Sequence, residues 1–346
     1  MSGIPVAVLP RTLRDAIYIT RELGVPYLWV DSICIVQDDD SDWQAESAKM
    51  AIVYRESLLT VAAASSPSAD HGFLKARQKT REFSMDWICE DGSPTILKTR
   101  IDPTHSKPIW ETKELPWNHR GWILQEEVLS TRLLVFGDAE IQWRCPSSHR
   151  CECHEIDGWT AHWSHLLLKN FQTCSAAYNY WHKLIAESYS LRHFSFPRDR
   201  LPAISGIASV IQQQTGSKYL AGLWVENIPL DLCWSRQEFW SRVQPAGGTG
   251  IGPAPSPSRP EYRAPSFSWA SIDGEVSYMI PCQCDGGGWV SQAECIDASS
   301  VPGENPFGQV AEAQVTLRGA VAPCVLDLHI SNGVQGWIVN NDAERV

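Results

Sequence analysis

The first 65 residues switch repeatedly between two apolar periods, and that alternation constrains the fold more than any other feature. In LPRTLRDAIYITRELG, starting at Leu9, the residues Leu13, Ala16, Ile17, Thr20 and Leu23 share one helical face, and Gly24 is placed to end the helix. YLWVD, Tyr27 to Asp31, is too short for a helix and reads as a buried strand ending in a carboxylate. After the acidic loop Asp38-Asp39-Asp40, Ser41 and Gln44 have the spacing of a capping box, so a helix is expected to start there. Trp43, Ser47, Met50 and Tyr54 then recur at three- and four-residue spacing, and LLTVAAA from Leu58 supplies another buried strand. Helix, strand, helix, strand at short intervals is the pattern of a parallel α/β sheet.

Downstream the pattern loosens. Pro94 to Pro116 reads as a loop-rich insertion. NHRGWILQEEVLS, from Asn118, then carries Trp122, Gln125 or Glu126 and Leu129 at helical spacing. RLLVF and EIQWR flank Gly137-Asp138, a pair that reverses a chain tightly, so a hairpin is expected. Helical signals dominate from Trp159 to about Gln214, in WTAHWSHLLLKNF and DRLPAISGIASVIQQQ. Gln244 to Pro260, rich in Pro and Gly, reads as a linker, and FSWASIDGEVSYMI, QVTLRGAV and GWIVN read as strands. The expected organisation is residues 1–130, an α/β domain; 131–243, a hairpin and helical region; 244–260, the linker; and 261–346, a small β-rich region.

Composition excludes several function classes. Lys+Arg 29 against Asp+Glu 40 gives a net charge of −11, which argues against a binder of nucleic-acid backbones. No window approaches the ~18 uninterrupted apolar residues of a membrane span. MSGIPVAVLPRTLRD lacks the basic start and apolar stretch of a leader, so a cytoplasmic protein is expected. The 11 cysteines are odd in number and scattered, which fits reduced thiols better than a disulfide framework. The 16 tryptophans imply many buried aromatic anchors, because each ring needs a large pocket and each N–H a partner. The signatures of dinucleotide redox enzymes, P-loop ATPases and α/β-hydrolases are missing.

The run YLWVDSICIVQDDDSDWQAESAKMAIVYRESLLTVAAASS resembles the core signature of the fungal heterokaryon incompatibility (HET) domain. Three further ordered blocks fit the same proteins: RGWILQEEVLSTRLLVF from Arg120; YSLRHFSFPRDRLPAISGIA from Tyr189 with YLAGLW from Tyr219; and RAPSFSWASIDG from Arg263. Trp29, Trp43, Trp122, Trp224 and Trp269 all lie inside these blocks. One departure is expected to matter: the family opens with a strand and a Ser-Tyr-x-Trp-Gly-like segment that nothing in Met1 to Pro10 matches, which implies a domain truncated at its N-terminus. The resemblance implies a cytosolic self/non-self recognition protein whose HET domain triggers programmed cell death, acting by self-association or with other incompatibility proteins. It also implies a TIR-like parallel α/β fold, and through TIR domains a possible activity, cleavage of NAD. No cofactor is firmly implied; NAD would enter as substrate.

Candidate chemistry follows from position. Asp31, Ser32 and Cys34 fall just past the end of an expected parallel strand, where open α/β sheets place their ligands. The bland alternatives are that Asp31 caps the next element and Cys34 packs as a small buried hydrophobe. Arg120, Trp122, Gln125 and Glu126 form a sharper group. A nucleoside ribosyl bond breaks through an oxocarbenium-like state, which needs a carboxylate near the developing positive charge and an aromatic wall for the base. Glu126 is the candidate carboxylate, Glu127 its alternative if the helix is rotated, and Glu46 a third, against an ion pair with Lys49 or Arg55. The WILQE run looks similar to the helix glutamate of TIR-type NAD-cleaving enzymes. Structural roles for Trp122 and for an Arg120 ion pair stand beside that reading. Cys145, Cys151, Cys153 and His154 concentrate soft ligands and make a zinc-dependent binding module a further possibility, but C-x5-C-x-C-H lacks paired C-x2-C knuckles.

Overall fold

A computed structural model of the chain describes residues 3–76, 82–100, 116–138, 140–152, 170–236, 262–278, 291–320, 325–331 and 334–340. Helix α1 covers Arg11–Glu22, and Gly24 follows it at φ +67°, a left-handed conformation that a Cβ disfavours. The stretch 27–30 is not a strand. It pairs with no strand among the described residues, and the Val30 carbonyl instead accepts the N–H groups of Ile33 and Cys34, which turns Asp31–Cys34 into the short helix α2. An apolar run becomes a strand only where a neighbour takes its backbone groups, and Tyr27 stands 86% exposed. Helix α3, Asp40–Glu56, starts at Asp40 rather than after Ser41, because the Asp39 carboxylate accepts from the Ser41 and Asp42 N–H groups. An ionised acceptor also suits the positive end of the helix.

Strand β1, Thr60–Ala62, ends the first α/β unit. Strands β2, Glu82–Ile88, and β3, Pro94–Arg100, form an antiparallel hairpin of their own, so the expected loop-rich insertion begins as a strand. Thr95, Ile96, Leu97 and Thr99 are β-formers that outweigh Pro94, which sits at the strand's first position where its missing N–H costs least. The rest of that insertion, 101–115, lies outside the described residues. The main sheet has the order β1, β4 (Leu133–Phe136), β5 (Ile141–Cys145), β6 (Ser148–Cys151). It is mixed, not all-parallel. Thr60↔Leu133 to Ala62↔Val135 is parallel, whereas β4–β5 and β5–β6 are antiparallel because tight turns join them. The first of these turns is the expected one, closed by Gly137 N–H to the Glu140 carbonyl at 3.0 Å.

Helix α4, Ile123–Leu129, lies between two cores. Ile123 joins Ala62, Ala64, Trp117, Leu133 and Val135 beneath the sheet. Leu124, Val128 and Leu129 join the larger core built by α5, Cys174–Leu184, and α6, Ser205–Thr215, which confirm the helical signals there. Trp181, Trp224 and Trp269 are fully buried in that core. Two of them need the same acceptor: the Gly222 carbonyl takes the indole N–H of Trp181 and of Trp269, each at 2.9 Å. Gly222 has φ +95°, and a Cβ there would stand 2.9 Å from the Trp269 indole nitrogen. The tryptophan count thus acquires a structural meaning for these residues.

The C-terminal stretch is β-rich, in antiparallel pairs: Trp234–Arg236 with Val276–Tyr278, Ala293–Pro302 with Val310–Gly319, and Val325–Ser331 with Val334–Asn340. Within FSWASIDGEVSYMI only Val276–Tyr278 is a strand; Trp269–Ser271 is a 3-10 turn held by the Ser268 side chain. The expected linker 244–260 and residues 159–169 of the Trp-rich stretch lie outside the described residues. Among the described cysteines, Cys34, Cys89, Cys145, Cys174, Cys233 and Cys295 are free thiols, while Cys151 is disulfide-bonded. Among the described residues no helix is long and apolar enough to cross a membrane.

Candidate active site around Glu126

Glu126 occupies the half-buried position of α4, flanked on both sides by fully packed residues. Its carboxyl is pushed up from 4.5 to about 7, first by burial and then by the like charge of Asp31; Arg120, a hydrogen bond from Tyr54 and Arg192 pull the other way. Tyr54, from α3, is raised well above its ordinary value by the same burial and by the two carboxylates. Trp29 meets the Tyr54 ring edge to face at 5.8 Å, and Trp43 meets Trp122 edge to face at 6.0 Å. One carboxylate titrating near neutrality therefore sits among aromatic side chains, with an exposed acid and an exposed guanidinium beside it. Such a group can exchange a proton at neutral pH and, once ionised, stabilise an adjacent positive charge.

The helix is held by contacts from the second half of the chain. Gln125 is fully buried and accepts the Gly206 N–H at 2.6 Å, where a Cβ on Gly206 would stand 2.6 Å from the Ala51 Cβ. Trp122 donates its indole N–H to Asp199 Oδ2 at 3.1 Å. Glu127, the next residue, enters an ion-pair cluster instead: Arg144 Nη1 lies at 2.8 Å and Arg192 Nη2 at 3.8 Å. Burial pushes the Glu127 carboxyl up and the two guanidinium groups down.

Of the residues singled out from sequence, Asp31, Arg120, Trp122 and Glu126 are brought to one neighbourhood. Ser32 and Cys34 are exposed on α2. Asp31 Oδ1 caps the Ser32 N–H at 2.7 Å, and Cys34 is not the packed hydrophobe of the bland alternative. Glu46 is engaged by Lys49 at 2.7 Å, as the ion-pair alternative has it, and Glu127 is committed to its arginines. Cys145 is a free thiol 3.4 Å from the Ser147 hydroxyl, Cys151 is disulfide-bonded, and Cys153 and His154 lie outside the described residues. No group of three or more metal-ligating side chains occurs among the described residues. Three partners escaped sequence reasoning: Tyr54 read as a core position of α3, while Arg192 and Asp199 lay inside a recognisable block without any local signal of their contacts.

No curated protein and no solved structure matches the chain. A family model does: Heterokaryon incompatibility protein (HET), over residues 2–126, a span that holds both the Tyr27–Asp31 run and α4 as far as Glu126. Over those residues the chain carries a domain of the HET family.

Proposed function

We propose that this chain is a heterokaryon incompatibility protein, acting in self/non-self recognition, whose HET domain triggers programmed cell death when it associates with itself or with other incompatibility proteins. The family match over residues 2–126 carries this reading. Its test is expression of the full chain in fungal cells with viability as the readout, alongside the sedimentation of the purified protein. Killing by assembled protein supports it; killing by a strictly monomeric protein removes the self-association.

A second reading is favoured by one observation, the Glu126 carboxyl poised near 7 beside Asp31, Arg120, Tyr54 and Trp122. In it the domain hydrolyses the ribosyl bond of NAD. The C1′–N bond breaks with its electron pair leaving on nicotinamide, water adds to C1′, and one proton is released, giving ADP-ribose. Ionised Glu126 would face the oxocarbenium-like carbon, and the aromatic side chains would bracket the base. Arg120, exposed beside the carboxylate, suits the diphosphate. Incubating the full chain with NAD and measuring nicotinamide release, with Glu126→Ala as control, tests it. Absence of turnover from assembled protein removes the reading, and killing by Glu126→Ala removes its biological role.

A further inference from the structure

The block from Tyr189 to Gly206 lies more than 60 positions beyond Glu126 in sequence and outside the matched family span. Yet five of its residues touch α4 or the residues leading into it. The His193 backbone bridges Arg120: Gly121 N–H donates to the His193 carbonyl at 2.9 Å, and His193 N–H to the His119 carbonyl at 2.6 Å. Phe194 lies so close over Gly121 that a Cβ there would run into its ring. Arg192, 6% exposed, donates from Nη1 to the Arg120 carbonyl at 3.1 Å and from Nε to the Ser188 carbonyl at 3.3 Å. Asp199, 8% exposed, accepts the Trp122 indole N–H, and Gly206 N–H donates to Gln125 Oε1.

These contacts are selective. Each falls on Arg120 to Gln125 or their immediate neighbours, the run that presents the arginine, the indole and the carboxylate. A buried carboxylate spent on one indole N–H, and a buried guanidinium that ties the Arg120 carbonyl to the Ser188 carbonyl and to Glu127, fix orientation more than they add stability. Charge burial is costly, and an apolar pair would pack at least as well. Arg200, over the Phe194 ring of the block, in turn anchors it to the C-terminal stretch, lying over the Trp269 ring and 3.9 Å from Asp273.

We propose that the Tyr189–Gly206 block is the back wall of the Glu126 site, with Asp199 the positioning residue for the Trp122 indole and Arg192 the positioning residue for Arg120 and Glu126. The site is thus complete only with this block docked, and the region after the matched domain controls it. The inference rests on the reading of Glu126 as the operative carboxylate, and it is testable whether or not NAD is the substrate.

The test uses the full chain in four variants: Asp199→Ala, Asp199→Asn, Arg192→Met and Arg192→Lys. The indole N–H resonance of Trp122, identified by its loss in Trp122→Phe, should move and exchange faster in Asp199→Ala and return in Asp199→Asn, which keeps an acceptor. The Glu126 carboxyl, followed by 13C NMR, should titrate higher in Arg192→Met and stay near the wild-type midpoint in Arg192→Lys. Its other charged or titratable neighbours, Asp31, Tyr54 and Arg120, are unchanged in all four. If NAD is cleaved, Asp199→Ala should lower kcat by about 10- to 100-fold, the scale of an ångström-level misplacement. An unmoved Trp122 resonance in Asp199→Ala overturns the proposal, as does a Glu126 midpoint that follows the fold rather than the charge at 192. Shifted resonances without nicotinamide release would instead uphold the back wall and remove the NAD reading. Should Arg192→Met not fold, the Asp199 pair decides alone.

Discussion

Replacing Glu126 with Gln should flatten the pH dependence of folding. In the native chain the carboxyl is raised from 4.5 to about 7, so the folded state holds a proton that the unfolded state releases near 4.5. The stabilisation from that extra proton is fully present below 4.5 and is lost as pH rises through the folded value of about 7. A shift from 4.5 to about 7 corresponds to roughly 3 kcal/mol, and most of that, about 2–3 kcal/mol, disappears between about pH 5 and pH 8. Glutamine is neutral throughout and close in shape, so it keeps the packing while removing the titration. The assay is urea unfolding of wild type and Glu126→Gln at matched pH values across this window. Wild type should lose about 2–3 kcal/mol relative to the variant as pH rises. A difference that is constant with pH, or that grows in favour of wild type at high pH, would refute the assignment of a raised carboxyl at Glu126. Asp31 and Arg120 are exposed, so high salt should weaken their share of the shift and leave the burial share intact.

Charge changes around the site should move Glu126 in opposite senses. Asp31→Asn removes the repelling carboxylate and should lower its midpoint, whereas Arg120→Gln should raise it, both read by 13C NMR of the carboxyl. Glu127→Ala leaves Arg144 and Arg192 buried with no carboxylate between them and should cost about 3–5 kcal/mol in urea unfolding. Gly206→Ala drives a methyl to 2.6 Å from the Ala51 Cβ and 2.8 Å from Gln125 Oε1, so about 1–3 kcal/mol should be lost on the same measurement.

What the sequence made legible was what depends on a residue and its near neighbours. The helical stripe of α1, the Gly24 stop, the hairpin at Gly137-Asp138 and the helices flanking the Tyr189 block each rest on local periodicity or turn chemistry, and each is present. The failures share one cause. Whether Tyr27–Val30 becomes a strand depends on a neighbouring edge, whether β1 sits in a parallel or mixed sheet depends on which strand reaches it, and β2–β3 depend on each other. None of these is written in a single window of sequence.

The candidate site divides the same way. Glu126 and Glu127 are adjacent and chemically equal, and only the packing of α4 between two cores separates a half-buried acid near Tyr54 from one locked between two arginines. Ordered blocks gave more than single residues. Arg120 to Glu126 and Tyr189 to Gly206 are distant in sequence, but Gly121, Trp122 and Gln125 meet His193, Asp199 and Gly206. A glycine, an indole and a buried amide on one side thus answer a carbonyl, a carboxylate and an N–H on the other. Through that complementarity each block supplies hydrogen-bond partners that the other would otherwise bury unsatisfied.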